Sequence, residues 1–453
     1  MELYRVSDVD AINGELIMAL VQRYKTKETP RLKRLHDYYI GKPDIKNRKM
    51  NDPAKPNNKI ASPYSAYIVD TVQGYFMGKP IAYSSEDSDL MENVQDIHDK
   101  NHESAHNSKM AKELSITGVG YELLYVNEEK EVKLALLNPE EVFMIFDTSI
   151  EKNPIAAVRF YPVQNYLNNE IQVKVEVYTD KLIKYATIAG TTFKWHEDQE
   201  IDHYFKKVPI IQYLNNDEST GDFEKVIDLV NAYDMAVSNT ANNLDYFSDA
   251  YLVLSGMQGT EEEDIANMTE NRVMILSENG KAEWLIKGAQ NDEVETYKDR
   301  LKGDIHTLSS IPNLGDESFG SATSGESLKY KLFGLENLVS IKERNFTHSL
   351  ENRLELITNI LNHKGNNFDS SYISLSYTRN IPSNISTTVD MVSKLSGLIS
   401  KETLLAQLPF IEDPAYEIAK MDAESEGSLY EQSFEDLETE VINFEPTVTE
   451  EVV

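Results

Sequence analysis

The clearest pattern in this chain is a run of apolar residues at helical spacing that begins directly after residue 222. The run predicts a helix over residues 223–249 that buries one face. Its apolar positions are Phe223, Ile227, Val230, Val237, Ala241, Leu244 and Phe247. The other faces carry no Lys or Arg after Lys225, and their polar residues include Asn239, Asn242, Asn243, Asp245 and Asp249. Such a surface, about 40 Å long at the usual helical rise, would repel phosphate.

The periodicity changes from helical to strand-like over residues 250–289. Three runs of β-forming residues, 251–254, 272–276 and 282–286, are separated by glycines, and Asn279-Gly280 predicts a hairpin turn. Helical spacing then returns, and a second helix is predicted from Asp292 to Ser309. Pro312 ends this helix because proline has no amide hydrogen to continue the ladder.

A Gly- and Ser-rich loop over residues 312–325 separates this helix from a much longer one. The longer helix is predicted from Glu326 to His363, with Gly365 as its C-cap and a length on the order of 55 Å. The apolar stripe drifts near Phe346, which leaves a kink open as an alternative. The succession of helix, β-rich segment, helix, loop and long helix indicates a ring subunit built around a channel.

The rest of the chain mixes both element types, so we predict an α+β fold. Residues 1–222 contain helical patterns at about Asp8 to Tyr39, Ser62 to Met77 and Asp87 to Ser115. Strands are predicted at residues 121–126, 132–137, 142–146, 156–161, 171–178 and 181–185. A further strand is expected at 372–377, before a small helical unit over 381–421.

Composition narrows the class of protein. A chain of 453 residues predicts two to four compact units at about 100 to 200 residues per domain. The absence of cysteine removes disulfides and thiolate metal ligands, and it fits a reducing interior. We expect a soluble protein with no membrane contact, because no window approaches the roughly 18 apolar residues that a membrane span needs.

The formal charge of -32 argues against tight general DNA binding, since affinity for phosphate comes mainly from Lys and Arg. The charge is uneven, with twelve basic and four acidic residues over 23–59 but eleven acidic and no basic residues over 421–453. A solvated face or intersubunit salt bridges is the favoured interpretation of the basic segment, and nucleic-acid contact is the alternative. The acidic end is predicted to be disordered, with partner docking through Phe434, Leu437 and Phe444 as the alternative.

One segment approaches a phosphate-binding loop. Residues 320–327 depart from the pattern G-x-x-x-x-G-K-[ST] at one position, Glu326, where the lysine must stand. A carboxylate there would repel nucleotide phosphates, and a proline-terminated helix precedes the loop where a buried strand is needed. We therefore disfavour a nucleotide-driven enzyme and expect no catalytic residues and no cofactor.

Three histidines, His98, His102 and His106, fall at i, i+4 and i+8 of one predicted helix and would share a face. Two imidazoles so spaced are able to bind zinc. These three stand in a polar segment with no clear third ligand, so a solvated helix face is the favoured interpretation. We expect no metal site.

Several segments, taken in their order along the chain, resemble the portal proteins of tailed bacteriophages, in particular the family of siphoviruses from Gram-positive hosts. The segments are Asp52 to Ile60, Tyr67 to Thr71, Gly74 to Pro80, Tyr121 to Tyr125, Gly221 to Glu224, Phe247 to Leu252, Lys329 to Leu332 and Thr378 to Asn380. Each alone is weak, and it is their shared order that carries the resemblance. The likeness covers about residues 10 to 420, and the acidic end matches no fixed motif.

The resemblance implies a portal fold with an α/β wing, a two-helix stem, a β-rich clip, a long wing helix and a helical crown. The wing would comprise residues 1–222 and 326–380, the stem helices 223–249 and 290–311, and the clip 250–289. The tunnel loop would be 312–325 and the crown 381–421, followed by an acidic disordered tail over 422–453.

The resemblance also implies a function. The chain would form a twelve-fold ring at one capsid vertex of the virion, and double-stranded DNA would pass through it non-specifically during packaging and ejection. Expected partners are the terminase motor, which hydrolyses ATP, a head-completion or adaptor protein, and the major capsid and scaffolding proteins. Assembly would take place in the host cytoplasm. Another head-tail connector component is the alternative, which the size and the full motif series disfavour.

Site residues follow from the same resemblance. The DNA channel would be lined by Asn313, Asp316, Glu317, Ser318, Lys298, Arg300 and Lys302. Partner docking at the clip would involve Tyr251, Arg272 and Trp284. A conduit should bind DNA weakly, because each phosphate that a Lys or Arg neutralises adds a binding site that slows translocation. The acidic and polar residues of the stem and loop would therefore keep DNA binding along the path weak. The three basic residues are the exception, and they would form salt bridges or contact phosphate.

Overall fold

The computed structural model describes residues 2–52, 55–164, 166, 170–247, 251–255, 281–285, 291–315, 325–381, 392–405, 408, 411, 414, 417–418 and 420–421. The chain divides into two compact units. The first comprises Met1–Ser321 and Lys329–Asn380, and the second Ala322–Leu328 and Ile381–Val453. The predicted acidic tail lies outside the described residues, and its disorder stays a prediction.

Helices account for most of the described backbone. They are α1 (Gly14–Tyr39), α2 (Tyr64–Met77), α3 (Ser88–Asn101), α4 (Glu103–Thr117), α5 (Ile227–Phe247), α6 (Asn291–Ser309), α7 (Gly325–His363) and α8 (Lys401–Leu405). The long helix α7 is continuous through Phe346, whose side chain is fully buried. No described helix is both long and apolar enough to cross a bilayer.

The prediction of one helix from Asp87 to Ser115 is also wrong. The segment forms two helices, because His102 adopts a left-handed backbone conformation with φ of 50° between them. The sequence gives weak warning here, since His102 is flanked by polar residues that suit a helix surface equally well.

Among the described residues, the strands form two larger sheets and two small pairs. They are β1 (Tyr4–Arg5), β2 (Ala82–Ser84), β3 (Val119–Val126), β4 (Val132–Leu137), β5 (Val142–Phe146), β6 (Pro154–Gln164), β7 (Ile171–Tyr178), β8 (Leu182–Ala189), β9 (Thr192–Trp195), β10 (Ile201–Asp202), β11 (Ile210–Leu214), β12 (Tyr251–Ser255), β13 (Lys281–Leu285) and β14 (Ser374–Ser376). The six strands predicted before residue 186 are confirmed, whereas β1, β2, β9, β10 and β11 were not predicted.

The largest sheet has the order β1-β5-β6-β7-β8-β10, with β9 also paired to β8, and only the β1 and β5 pair is parallel. A second sheet has the order β11-β3-β4, and β14 pairs with β2. Helix α1 packs on these sheets and buries Tyr24, whose ring contacts Phe143 and Phe160 at centroid distances of 5.5 and 5.8 Å. Mixed sheets covered by helices confirm the α+β class.

Candidate functional site

Four residues, Gly221 to Glu224, form a turn between β11 of the second sheet and the start of α5. A Cβ added at Gly221 would lie 2.3 Å from the carbonyl oxygen of Ile116, so only glycine fits against the end of α4. The amide of Asp222 donates to the carbonyl of Ser115 at 2.9 Å. The turn therefore fixes where α5 begins.

Two ion pairs connect the same turn to distant helices. Lys342 of α7 is almost fully buried, and its Nζ donates to Asp222 Oδ2 at 2.7 Å and to Ser115 Oγ at 2.5 Å. Burial lowers the pKa of Lys342, although Asp222 opposes this shift. Arg31 of α1 donates through Nε to Glu224 Oε1 at 2.7 Å. One short motif thus ties α1, α4 and α7 to the start of α5.

A second buried cluster holds α7 closer to the C-terminal end of that helix. Arg353 and Glu122 are fully buried and form a two-point ion pair, with Nε to Oε2 at 2.9 Å and Nη2 to Oε1 at 2.7 Å. The same carboxylate accepts the Tyr213 hydroxyl at 2.8 Å and lies 2.6 Å from His106 Nε2. Burial would raise the pKa of Glu122, but Arg353 and His106 together lower it to about 2. Glu122 is therefore a charged anchor for the long helix.

The favoured interpretation of the three histidines as a solvated face is wrong for two of them. His98 and His106 are buried at 3% and 9% exposure, and His102 lies at the break between α3 and α4. The ring of His98 packs on Tyr83 at 4.7 Å between centroids. Burial, with a contribution from Arg353, lowers the pKa of His98 to about 3. Within the described part of the chain, no group of three or more His, Asp or Glu side chains is arranged to hold a metal ion.

An extended segment, residues 58–62, lies along α5, and we name it the strap. Three of its backbone amides donate to side chains one helical turn apart on α5. The pairs are Asn58 N to Asn242 Oδ1 at 2.6 Å, Ile60 N to Ser238 Oγ at 2.9 Å and Ser62 N to Asp234 Oδ1 at 2.8 Å. The strap therefore satisfies its backbone donors with short side chains at i, i+4 and i+8 of the helix.

The strap changes the interpretation of the polar surface of α5. Besides Asn242, Asn239 accepts from Arg48 Nη1 at 2.9 Å, and Asp245 accepts from Asn58 Nδ2 at 2.5 Å. Three of the five polar residues of α5 that were predicted to keep DNA binding weak thus form hydrogen bonds with a neighbouring segment of the same chain. Asn243 is exposed, and residue 249 lies outside the described ranges.

The basic segment over residues 23–59 also makes contacts within the chain. Its arginines pair with acids or amides of the same subunit: Arg23 with Glu2, Arg31 with Glu224, Arg34 with Asp44, and Arg48 with Asn239. These contacts support a structural role for the four arginines, which the sequence interpretation assigned to solvent or to neighbouring subunits.

The predicted channel residues of α6 differ in their surroundings. Lys298 forms an ion pair with Glu295 one turn away. Arg300 is 80% exposed at its side chain and lies 3.7 Å from Asp304. Lys302 and Asn313 line a cavity of about 360 Å³ together with four aromatic side chains, Tyr64, Tyr67, Tyr233 and His306. The side chain of Arg300 is thus far more open than that of Lys298, while Lys302 and Asn313 share one cavity.

The other predicted site residues are only partly described. Asp316, Glu317 and Ser318 lie outside the described residues, as do Arg272 and the Asn279-Gly280 turn. Tyr251 and Trp284 fall on β12 and β13, which pair antiparallel with Tyr251 opposite Leu285 and Trp284 opposite Leu252. The near-match to a phosphate-binding loop ends in the first turn of α7, where Glu326 stands in place of the lysine.

Two of the segments that carry the family resemblance, residues 74–80 and 378–380, meet in space. The amide of Asn380 donates to the carbonyl of Tyr75 at 3.2 Å, and Arg379 binds Glu336 of α7 through Nε and Nη2. The hydroxyl of Tyr75 donates to the same Glu336 carboxylate at 2.6 Å. The segment that follows β14 is thereby held against α2 and α7, so residues 74–80 and 378–380 form one contact in the fold.

Two solved structures with similar topology come from gene transfer agent particles. One is the neck of an empty particle computed with C6 symmetry, at 11% identity and a TM-score of 0.47, covering 77% of this chain and 90% of that chain. The other is the virion of a native particle, at 12% identity and a TM-score of 0.45, covering 84% and 93%.

Sequence relatives are closer. The portal protein of Bacillus phage SPP1 is 24% identical over 444 residues, which cover 93% of this chain and 87% of the relative. The portal protein of Clostridium phage phiCD119 is 25% identical over 406 residues, covering 83% and 88%. The family described as "Phage portal protein, SPP1 Gp6-like" matches residues 20–429. The chain therefore belongs to this family of phage portal proteins.

Proposed function

We propose that copies of this chain close into a ring at one capsid vertex and form the conduit through which double-stranded DNA enters and leaves the particle. The observation that carries the proposal is the family match from residue 20 to residue 429, which spans both the sheets and the helices described above. Portal proteins are structural components of virions, so the ring would act without a catalytic centre of its own.

The positions of the elements support a division into portal parts. Helices α5 and α6 pack side by side and fall within the proposed stem ranges 223–249 and 290–311. The β12 and β13 ladder falls in the proposed clip, residues 250–289. The sheets and α7 would form the wing, residues 312–325 the tunnel loop, and residues 381–421 the crown.

Weak interaction with DNA is the physical basis of the proposed conduit. The formal charge of -32 disfavours counterion release by phosphate contacts, which is the main source of non-specific affinity. On α6, the charge of Lys298 is neutralised by Glu295, and that of Arg300 is partly offset by Asp304 at 3.7 Å. DNA would therefore meet few cations from each subunit on this helix.

The remaining partners belong to the same proposal. The ring would have twelve copies in the particle, would dock a terminase motor and a head-completion protein, and would assemble with the major capsid and scaffolding proteins in the host cytoplasm. ATP would be hydrolysed by the motor and not by this chain.

The mass of the purified full-length protein tests the ring. Native mass spectrometry should show a closed assembly of about a dozen chains without ATPase activity. A monomer that hydrolyses ATP would contradict the proposal. Deleting residues 315–324 should leave the number of chains per ring unchanged but reduce the yield of DNA-filled heads, because the loop would face the DNA. A chain with the same ten residues in shuffled order is the matched control, and normal filling with the deletion would refute the role of the loop.

A further inference from the structure

The chain leaves α6 through residues 310–314, a short segment held by hydrogen bonds that we name the exit. The helix ends at Ser309, and Ser310 adopts a left-handed backbone with φ of 61°. The amide of Ile311 returns to the carbonyl of His306 at 3.1 Å, and Pro312 has no amide to donate. Beyond this point the backbone groups of residues 311–314 need partners from other segments.

His306 supplies one of these partners. Its Nδ1 lies 3.1 Å from the carbonyl oxygen of Ile311, and since a carbonyl only accepts, Nδ1 must carry the hydrogen. The rings of Tyr64 and Tyr67 meet the imidazole edge-on at 5.9 and 5.5 Å between centroids. These contacts hold the imidazole in one orientation against the helix end.

Tyr67 supplies hydrogen-bond partners for two further backbone groups. Its hydroxyl donates to the carbonyl of Pro312 at 2.8 Å and accepts from the amide of Leu314 at 3.0 Å. One hydroxyl thus spans three residues of the exit and uses both its donor and its acceptor capacity. Tyr67 lies in the first turn of α2, which directly follows the strap, so neighbouring segments of the chain hold α5 and the end of α6.

We propose that Tyr67, with His306 behind it, is the positioning residue that fixes where the chain leaves the second stem helix toward residues 312–325. The inference rests on the proposed function, because it assigns the exit to the base of the tunnel loop. It adds a residue from outside the stem and loop, 245 positions from Pro312 in sequence, that controls the start of the loop.

Tyr67→Phe tests the positioning directly, because it removes the hydroxyl and keeps the ring. Hydrogen exchange on the purified assembly should show the Leu314 amide exchanging about tenfold faster, since its acceptor is lost. The matched control is Tyr39→Phe, whose hydroxyl donates to Asp70 away from the exit. It should leave Leu314 unchanged. An unchanged Leu314 amide in Tyr67→Phe, or faster exchange along all of α2, would overturn the proposal.

A second readout separates this inference from the proposed function. Tyr67→Phe should keep the ring mass and reduce the yield of DNA-filled heads, and Tyr39→Phe should do neither. Faster exchange at Leu314 with normal filling would refute a role of the exit in DNA passage while leaving the ring proposal intact. Loss of the ring in wild-type protein would instead refute the proposed function itself.

Discussion

The long helix α7 and the helix α5 are held by different chemistry. Two buried cations, Lys342 and Arg353, attach α7 to carboxylates of other elements. Helix α5 is held by the strap, whose backbone amides donate to short side chains such as Ser238. Breaking a buried ion pair costs about 3 to 5 kcal/mol, whereas one hydrogen bond contributes about 1 kcal/mol. The polar contacts that attach α7 are therefore few and strong, whereas those that attach α5 are several and individually weak.

The largest effect is expected from Arg353→Met, which breaks the ion pair of α7. It should lower the free energy of unfolding by about 3 to 5 kcal/mol, because Glu122 would stay charged and buried without its main partner. Urea denaturation followed by circular dichroism measures the change. The double variant Arg353→Met with Glu122→Gln should recover much of the loss, since the buried charge is gone.

Arg300→Met is the matched control for this substitution. Its side chain is 80% exposed, so the loss should stay within about 0.5 kcal/mol. If Arg353→Met behaved like this control, or if the double variant were no more stable than the single one, α7 would not be anchored by buried charge.

Acid should destabilise the fold through His98, which lies close enough to Arg353 of the buried cluster for that cation to lower its pKa. Burial and Arg353 lower the pKa of His98 to about 3, below the value of about 6.5 for an unfolded chain. The unfolded state therefore takes up the proton first, so the stability present above pH 6.5 is lost as pH falls toward 3. Between pH 7 and pH 4.5, His98 should therefore lower the free energy of unfolding by about 3 kcal/mol.

Urea unfolding at pH 7 and pH 4.5 checks this contribution. His98→Phe keeps a ring against Tyr83 and should show a smaller loss of stability between the two pH values. His348→Phe, at an exposed position of α7, should lose as much as the wild type. Equal losses in the two variants would show that His98 does not carry the acid sensitivity.

The sequence predicted the helices well, because their apolar periodicity reports burial directly. It missed the ionic anchors, although a signal was present: Lys342 and Arg353 stand in the buried stripe of α7, where Val339, Phe346 and Leu350 also lie. The apparent drift of the stripe near Phe346 reflects these buried charged residues. Their partners stand 120 and 231 residues away, which no local pattern encodes.

The strap and the exit of α6 were hidden for another reason. Each of these hydrogen bonds has a backbone group as one partner, which every residue possesses and no sequence pattern marks. The side chains of Asp234, Ser238 and Asn242 do recur at one-turn spacing on α5. The same spacing fits a polar solvent face equally well, so only the fold shows which is present.

The smallest effect is expected from Ser238→Ala, which removes one strap acceptor. Ser238 is fully buried, but Ile60, whose amide it accepts, is 39% exposed, so water is able to replace part of the lost bond. Stability should fall by about 1 kcal/mol, and the Ile60 amide should exchange about tenfold faster while Asn58 and Ser62 change less. Thr240→Val is the matched control, because that hydroxyl donates within α5 to Ala236 and should leave Ile60 unaffected. A loss as large as that of Arg353→Met would mean that the strap acts as one cooperative unit, and the contrast between the two helices would fail.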